Sequence, residues 1–117
     1  MSMLPKGFEV EQAGQLVTAH LRATEVAHDD MQTLVQECIE KIRYDNAQNF
    51  VFDLEEVEFL ASACIGALVE FLQEVEHCRG RIALVNCQEN VSFLFKVTRL
   101  DQVFGLFDDI EEAIESL

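Results

Sequence analysis

Two short apolar runs, each followed by a helix-like pattern, constrain this sequence more than any other feature. Residues 49–54 (Asn-Phe-Val-Phe-Asp-Leu) and 81–86 (Arg-Ile-Ala-Leu-Val-Asn) are almost continuously apolar, which is typical of buried strands in parallel sheets. Helical spacing of apolar residues follows each run, over 62–78 and over about 89–98. Because parallel strands need a crossover between them, this alternation predicts an α/β fold.

The remaining segments complete a single domain. Residues 1–7 are predicted to be a flexible N-terminal lead and residues 8–117 to be one folded domain, since a chain of 117 residues suits one compact unit. Apolar spacing and turn residues predict the other elements: strands over 8–11, 15–21 and 103–107, a loop over 24–28, and helices over 30–43 and 110–117. The predicted order is β-β-α-β-α-β-α-β-α, a mostly parallel mixed sheet with an initial hairpin and helices packed against it.

Residue types at the helix ends and apolar stripes predict finer details. Asp29 and Asp30 are predicted to cap the first helix, and Gly80 to end the second as its C′ residue. The predicted core stripe of the second helix is Ile65, Leu68, Val69, Leu72 and Val75. The predicted inward-facing residues of the last helix are Ala113, Ile114 and Leu117.

The charge of the chain excludes several classes of partner. It has 22 acidic and 8 basic residues, a formal net charge of −14. Such a surface repels phosphates, so neither nucleic acid nor an anionic membrane is predicted as a partner. The first residues lack the apolar core of a signal peptide, and no run approaches the about 20 apolar residues of a membrane span. The sequence therefore predicts a cytoplasmic protein without direct membrane insertion, whose four cysteines are reduced.

Catalytic and cofactor motifs do not occur in the sequence. The three histidines lack metal-ligand spacing, and there is no P-loop, G-x-S-x-G or G-x-G-x-x-G pattern. The glutamates over 55–58 are interpreted as a charged turn. We therefore predict a protein that is not an enzyme and that uses no metal or cofactor.

Ser62 stands at the start of the second helix, directly after the acidic turn. A serine there is most often an N-cap. A phosphate would also be tolerated, because a helix N-terminus is the positive end of the helix dipole. Ala61, Ala63 and Cys64 are predicted to form a small apolar patch that docks a partner. A phosphate of about −1.5 to −2 charges in this patch would repel the partner. The residues alone leave both interpretations open.

The stretch over 53–68, D-L-E-E-V-E-F-L-A-S-A-C-I-G-A-L, resembles the signature of STAS domains, the fold of anti-sigma factor antagonists. The matching positions are Asp53, Leu54, Val57, Phe59, Ser62, Ile65, Gly66 and Leu68. Later positions that resemble the family pattern are Gly80, Asn86, Val91, Leu94, Phe95, Leu100, Asp101 and Phe104. The resemblance covers residues 8–117 and implies the STAS fold in the element order given above.

The resemblance also implies a regulatory cycle. In the anti-sigma factor antagonist branch, the serine that matches Ser62 is phosphorylated by an anti-sigma factor that is also a kinase, and a phosphatase resets it. Those two proteins are the expected partners, and the chain would be a phosphate acceptor in transcription regulation. The expected partner-binding residues are Glu25, Glu58, Ala61, Ala63 and Cys64.

Two other functions stay open. Ala61 and Ala27 stand where relatives often carry aspartate, which favours a STAS subunit that is never phosphorylated. Such a subunit could be a signalling scaffold or the cytoplasmic partner of a lipid or anion transporter. A nucleotide-binding or enzymatic α/β domain is the third hypothesis, and a homodimer is open in each case.

Overall fold

The structure, a computed structural model, describes residues 3–117 as seven strands and four helices. The first two residues of the predicted lead lie outside the described residues. In chain order the elements are β1 (Phe8–Ala13), β2 (Leu16–Leu21), β3 (Glu25–Val26), α1 (His28–Tyr44), β4 (Asn49–Asp53), β5 (Phe59–Leu60), α2 (Ala63–His77), β6 (Ile82–Val85), α3 (Glu89–Val97), a 3₁₀ turn (Leu100–Gln102), β7 (Gly105–Phe107) and α4 (Ile110–Ser116).

A five-stranded mixed sheet in the order β1-β2-β4-β6-β7 confirms the predicted α/β architecture. β1 and β2 form the antiparallel hairpin, and β2, β4, β6 and β7 are parallel. Each crossover adds the next parallel strand on the same side of the previous one, from β2 to β4, β6 and β7. Because such crossovers are right-handed, α1, α2 and α3 share one face of the sheet.

Alternate residues of β4 face two separate apolar layers, which explains the continuous apolar run. Phe50 and Phe52 belong to the large core that α1, α2 and α3 cover. Val51 belongs to a smaller core that includes Ala113 of α4, on the other face of the sheet. Both faces of β4 are therefore buried, as expected for a central parallel strand.

The start of α1 differs from the prediction. The helix begins at His28, and its N-cap residue is Ala27, which has no capping side chain. The carboxylate of Asp30 instead accepts a hydrogen bond from the Ala27 N–H at 3.2 Å. The prediction that Asp29 and Asp30 supply the N-cap residue is wrong, because both lie inside the first turn. The predicted negative charge at the helix start is confirmed, and it favours the helix dipole.

The buried face of α2 is displaced from the predicted stripe by about one residue. Its buried residues are Cys64, Ala67, Leu68, Phe71, Leu72 and Val75. Ile65 is half-buried but still packs against the core, whereas Val69 is half-buried and does not belong to it, so the prediction is wrong at Val69. The first seven residues of this helix are all apolar or glycine, so periodicity could not identify which side packs against the sheet.

Gly80 serves a different purpose from the predicted left-handed C′ residue. Arg79, with φ of 62°, occupies that position. The Gly80 N–H donates to the Val75 carbonyl oxygen at 2.9 Å and the Arg79 N–H donates to that of Glu76 at 3.0 Å, a Schellman motif. A Cβ on Gly80 would lie 1.8 Å from the backbone oxygen of Gln48. The glycine is therefore required by close backbone approach.

The last helix covers its sheet face incompletely. Ala113 is buried, but Ile114 is 42% exposed and Leu117 is 38% exposed, so two of the three predicted inward residues are wrong. α4 packs on β4, β6 and β7 through Ala113 and Ile110. Over residues 3–117, no helix combines the length and apolarity needed to cross a bilayer.

Candidate functional site

A two-stranded parallel sheet, separate from the main one, places Ser62. β3 pairs with β5 so that Glu25 lies opposite Phe59, and the Ala61 N–H donates to the Val26 carbonyl oxygen at 3.0 Å. This pairing ties the segment before α1 to the segment before α2. β3 was predicted as loop, because a two-residue strand carries no periodicity that a sequence could reveal.

Beside this small sheet lies an open depression of about 600 Å³, here called the Ser62 depression. Its lining residues are Glu25, Val26, Ala27, Asp30, Phe59, Leu60, Ala61 and Ser62. They come from both tied segments and from the first turn of α1. The depression is therefore a composite surface whose shape depends on the pairing of β3 with β5.

Ser62 occupies the N-cap position of α2, as predicted, but without the predicted capping bond. Its backbone is already helical, with φ of −55° and ψ of −33°, and its side chain makes no capping hydrogen bond to the described residues. The Ser62 carbonyl oxygen accepts from the Ile65 N–H at 3.1 Å. The side chain is exposed, so the hydroxyl is available to a partner at the positive end of the helix.

The structure separates the five predicted partner-binding residues. Glu25 and Ala61 line the Ser62 depression, whereas Glu58 and Ala63 are exposed next to it without lining it. Cys64 is buried, and the prediction that it forms part of the exposed patch is wrong. α2 turns this side chain inward, where its Sγ donates to the Val26 carbonyl oxygen at 3.4 Å.

The buried Cys64 thiol binds the backbone of Val26, a residue that lines the depression. Burial raises the pKa of Cys64 to about 11, so the side chain remains a thiol at neutral pH. A thiol can donate the hydrogen bond to Val26, whereas a thiolate could not. Cys64 therefore joins α2 to β3 from below and offers no nucleophile to a partner.

Five residues that line the depression were not predicted as site residues: Val26, Ala27, Asp30, Phe59 and Leu60. Asp30 was explained as a helix cap, but its side chain also lines the depression. Phe59 is 57% exposed although its neighbour Leu60 is buried. The exposure of Phe59 could not be predicted, because β5 is only two residues long and shows no alternation.

The charged side chains that line the Ser62 depression are all acidic. Glu25 and Asp30 line the depression and Glu58 is close by, and none of the described side chains that line it is basic. Phe59 and Ala61 supply apolar area between these acids. The surface therefore suits a partner that combines an apolar contact with basic residues.

A polar cluster fixes the strand end from which the acidic turn departs. The carboxylate of Asp53 lies 2.9 Å from Nδ1 of His20, and it accepts hydrogen bonds from Nδ2 of Asn86 and from the Glu55 N–H, both at 3.1 Å. Burial acts to raise the pKa of Asp53, but the hydrogen bonds from Asn86, His20 and Glu55 outweigh it and lower the pKa below its ordinary value. Asp53 thus joins β2, β4 and β6 to the turn that leads to Ser62.

The depressed pKa of Asp53 predicts a pH-dependent contribution to stability. Such a carboxylate stabilises the fold above its unfolded pKa of about 3.9, and the contribution is lost as the pH falls through the lower folded pKa. We expect Asp53→Asn to lower the free energy of unfolding by about 1 kcal/mol at neutral pH, because a charged acceptor becomes neutral. Below the folded pKa the two proteins should be equally stable.

Urea unfolding at about pH 7 and about pH 3 checks this expectation, with exposed Asp101→Asn as the control. A difference between wild type and Asp53→Asn that stays the same at both pH values would contradict the role of the Asp53 charge.

The described sheet has no ligand-binding crevice at the carboxyl ends of its strands of the kind found in doubly wound folds. Such crevices form where the strand order reverses, and over residues 3–117 the parallel strands run in one direction without reversal. The described residues also contain no group of three His, Cys, Asp or Glu side chains able to hold a metal ion. The polar groups at the strand ends bind one another, in the Asp53 cluster.

Comparison with known proteins identifies the same family as the sequence signature. The family model of the STAS domain matches residues 11–113. A Thermotoga neapolitana protein, provisionally named an anti-sigma factor antagonist, is 34% identical over 64 residues. That match covers 55% of this chain and 57% of the relative, so it spans little more than half of the relative's length.

Solved structures confirm the predicted STAS fold. The unphosphorylated anti-sigma factor antagonist SpoIIAA has a TM-score of 0.83 at 22% identity, with 94% of this chain and 95% of that chain covered. Bacillus SpoIIAA in its phosphorylated form has a TM-score of 0.76 at 21% identity, with 94% and 98% covered. The murine anion transporter Slc26a9 has a TM-score of 0.69 at 18% identity, with 89% of this chain and 18% of the transporter covered.

Proposed function

We propose that this chain, which belongs to the STAS domain family, is an anti-sigma factor antagonist whose partner docks on the Ser62 depression. The observation that carries the proposal is the exposed Ser62 side chain, which makes no capping bond within the described chain and lies at the start of α2. The name of the Thermotoga relative supports the antagonist role. In this role the chain binds a regulator of transcription and catalyses no reaction itself.

Phosphorylation of Ser62 would control the docking. The start of α2 favours a phosphate, because the positive end of the helix dipole attracts negative charge and the first turn contains no acidic residue. A phosphate of about −1.5 to −2 charges would place that charge against the apolar contact of Phe59 and Ala61. The unmodified chain therefore binds the partner, and the phosphorylated chain releases it.

The expected partners follow from this cycle. An anti-sigma factor with kinase activity would place apolar residues around Ser62 and basic residues against Glu25 and Asp30. It would transfer the phosphoryl group of ATP to the Ser62 hydroxyl. A phosphatase would return Ser62 to its binding form. A cytoplasmic location is the matching expectation for such a cycle.

Phosphate mapping tests the modification directly. The protein is incubated with ATP and a candidate anti-sigma factor kinase from the same genome, and the site is identified by mass spectrometry. A single phosphate at Ser62 is expected, absent in Ser62→Ala and retained in the control Ser92→Ala. Labelling that persists in Ser62→Ala would refute Ser62 as the acceptor.

Ser62→Asp separates binding from folding. We expect the free energy of unfolding to stay within about 0.5 kcal/mol of wild type, because aspartate is also a favourable N-cap residue. We expect the dissociation constant for the kinase to rise about tenfold or more, because an unpaired charge would be buried in the contact. Urea unfolding and calorimetric titration measure the two effects, and Ser62→Ala is the matched control that keeps binding. Tight binding by a folded Ser62→Asp variant would contradict the docking surface.

A STAS subunit that is never phosphorylated is the second candidate. Ala61 favours this second function, because the position before Ser62 then carries no acid. The likeness to a domain of an anion transporter also favours it. Affinity capture from the native host would distinguish the two functions. Recovery of a transporter, with Ser62 unmodified, would support the subunit, whereas recovery of a kinase-like ATPase would support the antagonist.

A further inference from the structure

The third helix carries an apolar face that nothing in the described chain covers. Phe93 is 63% exposed and Val97 is 57% exposed, whereas Val91 and Phe95 of the same helix are fully buried in the core. Phe93 and Val97 are four residues apart, so they are neighbours on one side of the helix. α3 is therefore apolar both toward the core and toward solvent.

The charge of α3 sets it apart from the other helices. It carries one acidic and one basic residue, Glu89 and Lys96. α1 carries four acidic and two basic residues, and α2 and α4 each carry three acidic residues without lysine or arginine. In a molecule of net charge −14, α3 is the helix through which two copies can approach with least repulsion.

The charges of α3 are also arranged so that this helix is complementary to the same helix of a second copy. Glu89 lies four residues before Phe93 and Lys96 three residues after it, so all three share the exposed side of the helix. When two α3 helices cross in opposite directions at Phe93, Glu89 of each copy meets Lys96 of the other. A two-fold axis generates both ion pairs at once, as an isologous contact requires.

We propose that the exposed face of α3 binds the same face of a second copy, forming a two-fold symmetric dimer centred on Phe93. Contact through one nine-residue helix is small, so the dimer is a weak one with a dissociation constant of about 10 µM or higher. Salt screens the repulsion between two acidic molecules, so the dimer strengthens as ionic strength rises. The proposal is independent of the function of Ser62.

Charge reversal in the full chain tests the pairing. By analytical ultracentrifugation between about 10 µM and about 1 mM, wild type should shift from the 13.3 kDa protomer toward twice that mass. Glu89→Lys and Lys96→Glu should each weaken self-association at least about tenfold, because like charges then face each other. Mixing the two variants should restore association, since both pairs become attractive, and the double variant should dimerise as wild type does.

Two phenylalanine variants locate the contact. Phe93→Ala should weaken the dimer about tenfold or more, whereas Phe59→Ala, a similarly exposed phenylalanine of the Ser62 depression, should leave it unchanged. Wild type that stays monomeric at about 1 mM, or single variants that fail to associate when mixed, would overturn the proposal. A dimer disrupted by Phe59→Ala and not by Phe93→Ala would place the contact elsewhere and overturn it as well.

Discussion

Replacement of Phe71 by alanine is expected to lower the free energy of unfolding by about 3–5 kcal/mol. The Phe71 ring is fully buried, lies edge-on to Phe50 at a centroid distance of 4.9 Å and stacks on Phe52 at 5.9 Å. Truncation removes both aromatic contacts and leaves a cavity between α2 and β4. Since β4 is held by strands on both sides, it cannot move inward to close that cavity.

Urea unfolding measures this loss, and Phe93→Ala is its matched control. Phe93 is exposed, so its truncation should change the free energy of unfolding of the monomer by no more than about 0.5 kcal/mol. A loss below about 1.5 kcal/mol for Phe71→Ala would mean that the core can collapse around the missing ring.

Gly80→Ala is expected to cost about 3 kcal/mol or more, although it adds one methyl group. The added Cβ would lie 1.8 Å from the backbone oxygen of Gln48 and 2.8 Å from its carbonyl carbon. Gln48 cannot give way easily, because its N–H donates to the Gln15 carbonyl oxygen at 2.8 Å and its side chain donates to that of Cys78 at 3.0 Å. The clash must therefore be relieved by separating α2 from the start of β4.

Gly66→Ala provides the matched control for Gly80→Ala. Gly66 lies inside α2 on its exposed side, and a Cβ there would meet no described atom within 4 Å. Because glycine disfavours helix by about 1 kcal/mol relative to alanine, this substitution should stabilise the protein by about that amount. Thermal unfolding of both variants should thus give midpoint shifts of opposite sign, and a destabilised Gly66→Ala would refute the comparison.

Most of the main sheet and all four helices could be predicted from the sequence, because their signals are local. β4 and β6 are continuous apolar runs, and α1 and α3 carry clear helical spacing. β3 and β5 could not be predicted, since each is a pair of residues whose structure depends on a distant segment. The left-handed conformation of Arg79 could not be predicted, because glycine is the usual residue at that position of a helix end. Gly80 is required by the close approach of Gln48, which is remote in sequence.

The candidate site was predicted in part. Ser62 could be placed from the signature and from its position before a helix. Cys64 was misplaced, because an apolar helix start does not reveal which side is buried. Asp30 and Phe59 join the site only through the pairing of β3 with β5, and this pairing leaves no pattern in either segment.

That two-residue pairing has a consequence for how the surface opens. The amide protons of Glu58, Phe59 and Ala61 are all donated to carbonyl oxygens of residues 24–26, so none can exchange with solvent by local opening until the two segments part. Residues 24–27 and 58–62 thus behave as one cooperative unit. A ligand that holds either segment slows deuterium uptake in both, which makes these three amides a compact reporter of occupancy.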